Sequence, residues 1–380
     1  MERQSLFTAK TIHSGIQNPT RRGTRLPWKL YSAGRPATCD KHGVANEIQL
    51  ADIRTTAVSE REAIEQDGRQ MIMFNRLMLG SFTDTYKRWC NAQGVKPDLV
   101  KIPRSKTDGF WVGQKDSAKF VMVYCHGGGF VMPGLAQHLD MLTRWVDWSS
   151  NRLAVFCVAL TLSPDGQYPT QIGECVEALR FVLSLPGRTP DTTLLGGDSA
   201  GGNLVIAVLS HVSGHTHPNS KVVRPLLLTG KLHGAILISP WVSSDNTKFK
   251  SMAELASCDN ISPCCTQYWM GLYKSEALGR NDDDEYTAPG SAPESWWWST
   301  TIQVASLLVT YGTQEIFRDA ILSWAARFDR GTGGSVLQLA EGLGEAHNAP
   351  LVPRSTAELD TFPEISQEAL IRRWIRSRLR

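Results

Sequence analysis

A short apolar run, Thr192-Thr193-Leu194-Leu195-Gly196, leads directly into Gly197-Asp198-Ser199-Ala200-Gly201-Gly202. The chain then leaves through Ala200 to Val212, where Leu204, Val205, Ala207 and Val208 sit at helical spacing. A strand, a turn and a helix with no linker between them require a sharp bend, and glycines flank its apex because side chains there would clash. Ser199 at the apex is pushed out above the sheet edge, and the first N–H groups of the helix are aimed at whatever it meets. A lone Gly-x-Ser-x-Gly is weak evidence, so the surrounding sequence has to carry it.

A second strand-like run, Phe120-Val121-Met122-Val123-Tyr124-Cys125, ends in His126-Gly127-Gly128-Gly129-Phe130, some seventy residues before Ser199. Consecutive glycines let the backbone approach a substrate carbonyl and present N–H donors to a developing oxyanion. Losing one such donor typically costs about 10²–10³ in turnover.

A serine nucleophile needs a base, and the base needs an orienting acid, in chain order serine, carboxylate, histidine. Downstream lie His211, His215, His217, His233 and His347. The first three fall at the end of the helix after Ser199 and in its loop, and His233 opens the strand-like run Gly234 to Ile238. His347 alone sits in a loop, Glu341 to Pro350, just after a strand-like run from Ser335 to Leu339; it is the expected base. For the acid, the strand Ala305 to Tyr311 is followed by a loop holding Glu315 and Asp319. Glu315 lies nearer the strand end and is preferred. Asp319 suits the start of the next helix, where a carboxylate complements the helix dipole. The reading that both are helix-start carboxylates stays open.

With these segments assembled, the chain resembles the hormone-sensitive-lipase-like branch of the α/β-hydrolases, through its His-Gly-Gly-Gly loop and Gly-Asp-Ser-Ala-Gly-Gly turn. Leu162 to Pro169, Ile238-Ser239-Pro240-Trp241 and Glu315 to Asp319 are similar to further family segments, over roughly residues 80 to 380. Two positions depart from the pattern. Glu315 stands where Asp is usual, and Cys125 precedes His126 where an apolar residue is expected, a place a buried thiol fills. The resemblance implies an α/β fold with a mostly parallel central sheet flanked by helices, and a helical cap. It further implies Gly127, Gly128, Gly129 and Ala200 as oxyanion donors, and hydrolysis of a small to medium hydrophobic ester without cofactor or metal. Trp111-Val112-Gly113, Leu162 to Pro169 and Ile238 to Val242 resemble fungal members, many of them in natural-product pathways. Acyl transfer by the same residues is one alternative. Another is a binding protein on this fold, against which His347 argues, because receptors of this family have lost that histidine.

Leu153 to Leu160 is nearly continuous apolar sequence, as for a strand buried on both faces. Helical stretches such as Gln171 to Leu185 alternate with the strand-like runs, which argues for a parallel sheet covered on both sides. The alternation breaks between residues 242 and 301, where the resemblance places a cap insertion; residues 1–100 are expected as an N-terminal arm and part of the cap, and 101–380 as the catalytic domain. Phe130, Trp241 and Trp269 either line an apolar pocket or knit the cap to the body. Asn281-Asp282-Asp283-Asp284-Glu285 lacks the spacing of a calcium loop and reads as a solvated loop. His211, His215 and His217 have ligand-like spacing without a nearby carboxylate or cysteine, so no metal is expected. From Ile365 to Leu379, Ala369, Ile371, Trp374, Ile375 and Leu379 share one stripe, as in a helix that closes a domain, with association to a membrane surface as the other reading.

At 380 residues and 42% hydrophobic, the chain can bury a large core. A net charge of +3, with Arg21, Arg22, Arg25 and Lys29 clustered near the start, is too small to argue for nucleic acid. Eight cysteines without C-x-x-C pairs favour a reducing, cytoplasmic setting. No run reaches the length of a transmembrane helix. Gly15, Pro19 and Gly23 interrupt any amphipathic targeting helix in the acid-poor first 39 residues.

Overall fold

The computed structural model describes residues 72, 76–245, 247–274, 283–298, 301–352 and 364–380. The arm expected before residue 72 and its basic cluster lie outside the described residues.

Eight strands form one sheet: β1 (Leu99–Lys101), β2 (Asp108–Val112), β3 (Phe120–Cys125), β4 (Leu153–Val158), β5 (Thr193–Asp198), β6 (Gly234–Ile238), β7 (Leu307–Gly312) and β8 (Leu337–Gly342). Their order across the sheet is β1-β2-β4-β3-β5-β6-β7-β8. β1 and β2 are antiparallel, and β2 is antiparallel to β4, while every pairing from β4 to β8 is parallel. The runs read as doubly covered strands are just that: every residue of β3, β4, β5, β6 and β7 is buried. β8 at the edge alternates more, and Leu339 is exposed.

One face of the sheet carries α1 (Phe82–Gln93), α2 (Ala136–Trp148) and α8 (Gln367–Arg378); the other carries α3 (Thr170–Ser184), α4 (Ala200–Val212) and α7 (Arg318–Thr332). A capping box starts α1: Ser81 Oγ accepts the Asp84 N–H and the Asp84 carboxylate accepts the Ser81 N–H. This helix packs on α2 and β2. Residues 82–100, expected with the arm and cap, pack here through α1 and β1 on α2 and β2. The stripe on α8 is spent inside the protein, since Ile371, Trp374 and Ile375 are buried and the helix lies on β7, β8 and α2. No helix among the described residues is long and apolar enough to cross a membrane.

Between β6 and β7 the chain forms α5 (Ser251–Glu254) and α6 (Pro263–Lys274), then single turns at Pro289–Ser291 and Glu294–Trp297. These turns lie against α7, where Trp297 meets Trp324 edge to face at 6.1 Å. Asp283 pairs with Lys274 at 2.8 Å. Asp284 accepts the N–H groups of Tyr286 and Thr287 and the Tyr168 hydroxyl. Asp283 and Asp284 are thus tied into the fold, with Asp283 still exposed to solvent. The three clustered histidines are likewise engaged. His211 Nε2 lies 3.1 Å from the Arg224 carbonyl, His215 Nε2 lies 2.9 Å from the Trp296 carbonyl, and His217 Nε2 lies 2.7 Å from Tyr168 Oη.

Candidate active site

Ser199 stands between β5 and α4 at φ 52 and ψ −119, a conformation that a non-glycine residue adopts only when its surroundings impose it. They do so here. The Ser199 N–H donates to the Ile238 carbonyl at 2.9 Å, and its own carbonyl accepts from Trp241 at 3.0 Å and Asn203 at 3.1 Å. A Cβ at Gly201 would lie 2.0 Å from the Cys125 carbonyl oxygen, so only glycine lets α4 start this close to β3.

The Ser199 Oγ lies 2.8 Å from His347 Nε2. On the far side of the ring, His347 Nδ1 lies 3.9 Å from Glu315 Oε2, too long for a hydrogen bond. Oε2 accepts from Ser239 Oγ at 2.5 Å and from the Gly312 N–H at 3.1 Å, while Oε1 has no partner among the described residues. Glu315 is fully buried; burial and the charge of Asp259 push its carboxyl well above the ordinary range. Burial lowers His347 to about 4, so the imidazole is neutral near pH 7. Asp319 does a different job. Its Oδ2 accepts the Ser251 N–H at 2.9 Å and its Oδ1 meets Arg318 Nε at 2.9 Å. Of the two carboxylates left open by sequence, Glu315 is the one that faces His347.

The expected oxyanion donors are not equivalent. The Gly127 N–H donates to Asp198 Oδ1 at 2.9 Å and is not free for a ligand. This corrects the expectation for Gly127: the donor is occupied by the residue preceding the nucleophile. The N–H groups of Gly128, Gly129 and Ala200 have no backbone or side-chain acceptor among the described residues. Asp198 also accepts from Tyr124 Oη at 2.7 Å and from Asn348 Nδ2 at 2.8 Å, with His138 Nε2 3.3 Å away. Burial alone would raise its pKa, but His138 and these donors reverse the effect and hold the carboxyl below its usual range. Asp198 therefore joins the glycine loop, the nucleophile turn and the base loop at one anion.

The three expected pocket residues are buried, and Phe130 and Trp241 stack on other rings. Phe130 lies parallel to Tyr273 at 3.7 Å and stacks at an inclination of 30° on Trp241 at 5.7 Å, and Trp241 stacks on Phe317 at 5.6 Å. Phe317 in turn meets the His347 ring edge to face at 5.1 Å. Trp269 covers the glycine loop so closely that a Cβ at Gly129 would lie 2.4 Å from its ring. Phe130 and Trp269 thus make contacts between cap and body, while Trp241 packs between Phe130 and Phe317. Sequence reading missed Ser239, Asp259, Asn260 and Asn348. Ser239 and Asn348 sat beside recognisable residues and offered a signal. Asp259 and Asn260 lie in irregular cap sequence and offered none.

The sheet order, the strand–serine–helix turn and the Ser199–His347 contact define a protein of the α/β-hydrolase class. A sequence profile of the alpha/beta hydrolase fold matches residues 122–350, and the chain belongs to that family. Within it the chain is hormone-sensitive-lipase-like. It is 33% identical to hormone-sensitive lipase of Mus musculus over 98 residues, 25% of this chain and 13% of that protein. It is 28% identical over 218 residues to mug81 of Schizosaccharomyces pombe, which carries the name of a steryl acetyl hydrolase; the match spans 54% of this chain and 53% of that protein. The chain thus matches about half the length, or less, of these relatives. The crystal structure of EstE7, a hormone-sensitive-lipase homologue from a metagenome library, superposes with a TM-score of 0.61 at 19% identity, covering 85% of this chain and 98% of that one.

Proposed function

We propose that the protein is a serine hydrolase cleaving carboxylic esters of small to medium hydrophobic molecules through an acyl-enzyme. The observation that carries this reading is the 2.8 Å contact between Ser199 Oγ and the neutral, buried His347 Nε2. His347 takes the hydroxyl proton as Ser199 attacks the carbonyl, then returns it to the leaving alcohol; water resolves the acyl-enzyme by the same route. The negative charge on the tetrahedral oxygen falls to the N–H groups of Gly128, Gly129 and Ala200, fixed before the substrate arrives. Glu315 stabilises the imidazolium. The two donors on its Oε2 and the positive charge developing on His347 both favour its carboxylate form during the reaction.

The relative named as a steryl acetyl hydrolase supports an ester of an apolar alcohol. The resemblance to fungal members points to specialised metabolites as the source of that alcohol, in a cytoplasmic setting. Gly127 is assigned to holding the loop through Asp198, and Phe130, Trp241 and Trp269 to seating the cap.

The test is labelling by a fluorophosphonate probe, with the adduct located by mass spectrometry, beside turnover of a short-chain p-nitrophenyl ester. The adduct is expected on Ser199 and is expected to vanish in His347→Ala. Ser199→Ala is expected to lose at least about 10⁴-fold in turnover with its circular dichroism unchanged. Turnover within a few fold of wild type in Ser199→Ala would refute the mechanism. Product analysis with a competing alcohol separates hydrolysis from acyl transfer.

A further inference from the structure

Between α5 and α6 the cap sends one short segment down to the two loops that carry Glu315 and His347. Asp259 Oδ2 accepts the Ile316 N–H at 2.7 Å, one residue beyond Glu315, and its Oδ1 accepts the His347 N–H at 3.0 Å. The next residue completes the grip, as Asn260 Nδ2 donates to the His347 carbonyl at 2.8 Å. At the start of α5, Ser251 Oγ donates to the Ile316 carbonyl at 2.7 Å. Both polar groups of the His347 main chain, and both of Ile316, are therefore held by the cap. The two loops also meet directly, where the Gln314 N–H donates to the Glu345 carbonyl.

From this we infer that Asp259 is a positioning residue for the acid and the base, setting the register of their two loops and making that register depend on a seated cap. The inference rests on the catalytic reading of Ser199, His347 and Glu315.

The physical argument is one of tolerance. Among the described residues His347 Nδ1 and Glu315 Oε1 both lack partners, and the gap from Nδ1 to the carboxylate is 3.9 Å. Closing it takes a movement of roughly 1 Å, and misplacement by about that distance costs on the order of 10²-fold in rate. A single carboxylate bridging two backbone donors on different loops ties their relative height with charge-assisted hydrogen bonds, the strong kind. Asn260 alone holds only one of the two loops. Asp259 touches no atom of the reacting groups, so it acts through the loops it holds.

The experiment compares full-length wild type with Asp259→Ala, Asp259→Asn and Asn260→Ala by hydrogen–deuterium exchange and by kinetics on a short-chain p-nitrophenyl ester. In Asp259→Ala, exchange is expected to rise together in peptides covering Ile316 and His347 while peptides covering β3 keep wild-type protection. Its kcat is expected to fall about 10²-fold with KM within twofold. Asp259→Asn keeps one carbonyl acceptor and is expected to fall between the two. A purely structural role would instead reduce kcat only in proportion to the folded fraction.

Unchanged exchange in both loops, or a rise in one loop alone, would overturn the inference, as would a wild-type kcat in Asp259→Ala. Should Asp259→Ala fail to fold, Asp259→Asn decides the matter by the same two readouts, with Asn260→Ala as the control expected to loosen the His347 loop alone. Wild-type protein inert to the fluorophosphonate probe and the ester would take down the catalytic reading and this inference with it. That outcome is distinguishable, because the exchange would still report the two loops moving together.

Discussion

His347 is held through its ring and its main chain, with Nδ1 facing Glu315 at 3.9 Å. Its Nε2 meets Ser199, its edge meets Phe317, and its main chain is held by Asp259 and Asn260. Burial lowers its proton affinity to about 4, while burial and Asp259 raise that of Glu315. Both shifts disfavour the charged forms, and the 3.9 Å separation is too long for a hydrogen bond. The base works only when deprotonated, so lowering its pKa keeps it competent as pH falls through 6.5 and removes it only near 4. The rate of fluorophosphonate labelling is accordingly expected to be flat from pH 8 to about pH 5, with its acid limb below that. A limb at pH 6.5 or above would mean that Glu315 is ionised and paired with the imidazolium before substrate binds. At the same scale, Asn348→Ala removes the donor from Asp198 Oδ2. It is expected to cost about 1–3 kcal/mol in urea denaturation, the usual effect of leaving a buried acceptor unmatched. A change under 0.5 kcal/mol would show that Asp198 finds a replacement.

Elements meet at this site through aromatic rings more than through charges. α6 seats itself with Trp269 on the glycine loop and Tyr273 flat on Phe130. Phe130 is itself at φ 65, so the loop is bent where the cap lands on it. Trp269→Ala is expected to lower stability by about 3–5 kcal/mol, the range for emptying a buried tryptophan site. A loss below about 1 kcal/mol in urea denaturation would mean that the cap docks without this ring. The same packing explains why the role of these rings was undecidable from sequence. Large aromatics serve pockets and joints equally, and their stacking partners are set only by packing.

At the scale of the whole molecule, the sheet is closed on one face by α8, where Trp374 packs so tightly that a Cβ at Gly234 on β6 would lie 2.8 Å from its ring. Trp374→Ala is therefore expected to lower the melting temperature by roughly 5 °C or more. Leu227→Ser, at a residue 89% exposed, is expected to change stability by less than about 0.5 kcal/mol. Equal shifts in differential scanning calorimetry would contradict the assignment of α8 to the core.

What the sequence determined by itself was local. The strand–serine–helix turn, the glycine loop after β3 and the continuous apolar strands were legible because each depends on neighbours in the chain, through backbone sterics and the burial of both sheet faces. The bounds of β3 and α4 agree with the runs that announced them. β1, β2, α1 and α2 carried weaker patterns and were not separately drawn. Long-range choices belonged to the tertiary structure. It gave the Gly127 N–H to Asp198, turned Asp319 to Ser251 and brought Asp259 under two loops 57 and 88 residues away. A hydrogen bond between distant segments leaves no periodicity behind, so such pairings become visible only once packing has brought donor and acceptor together.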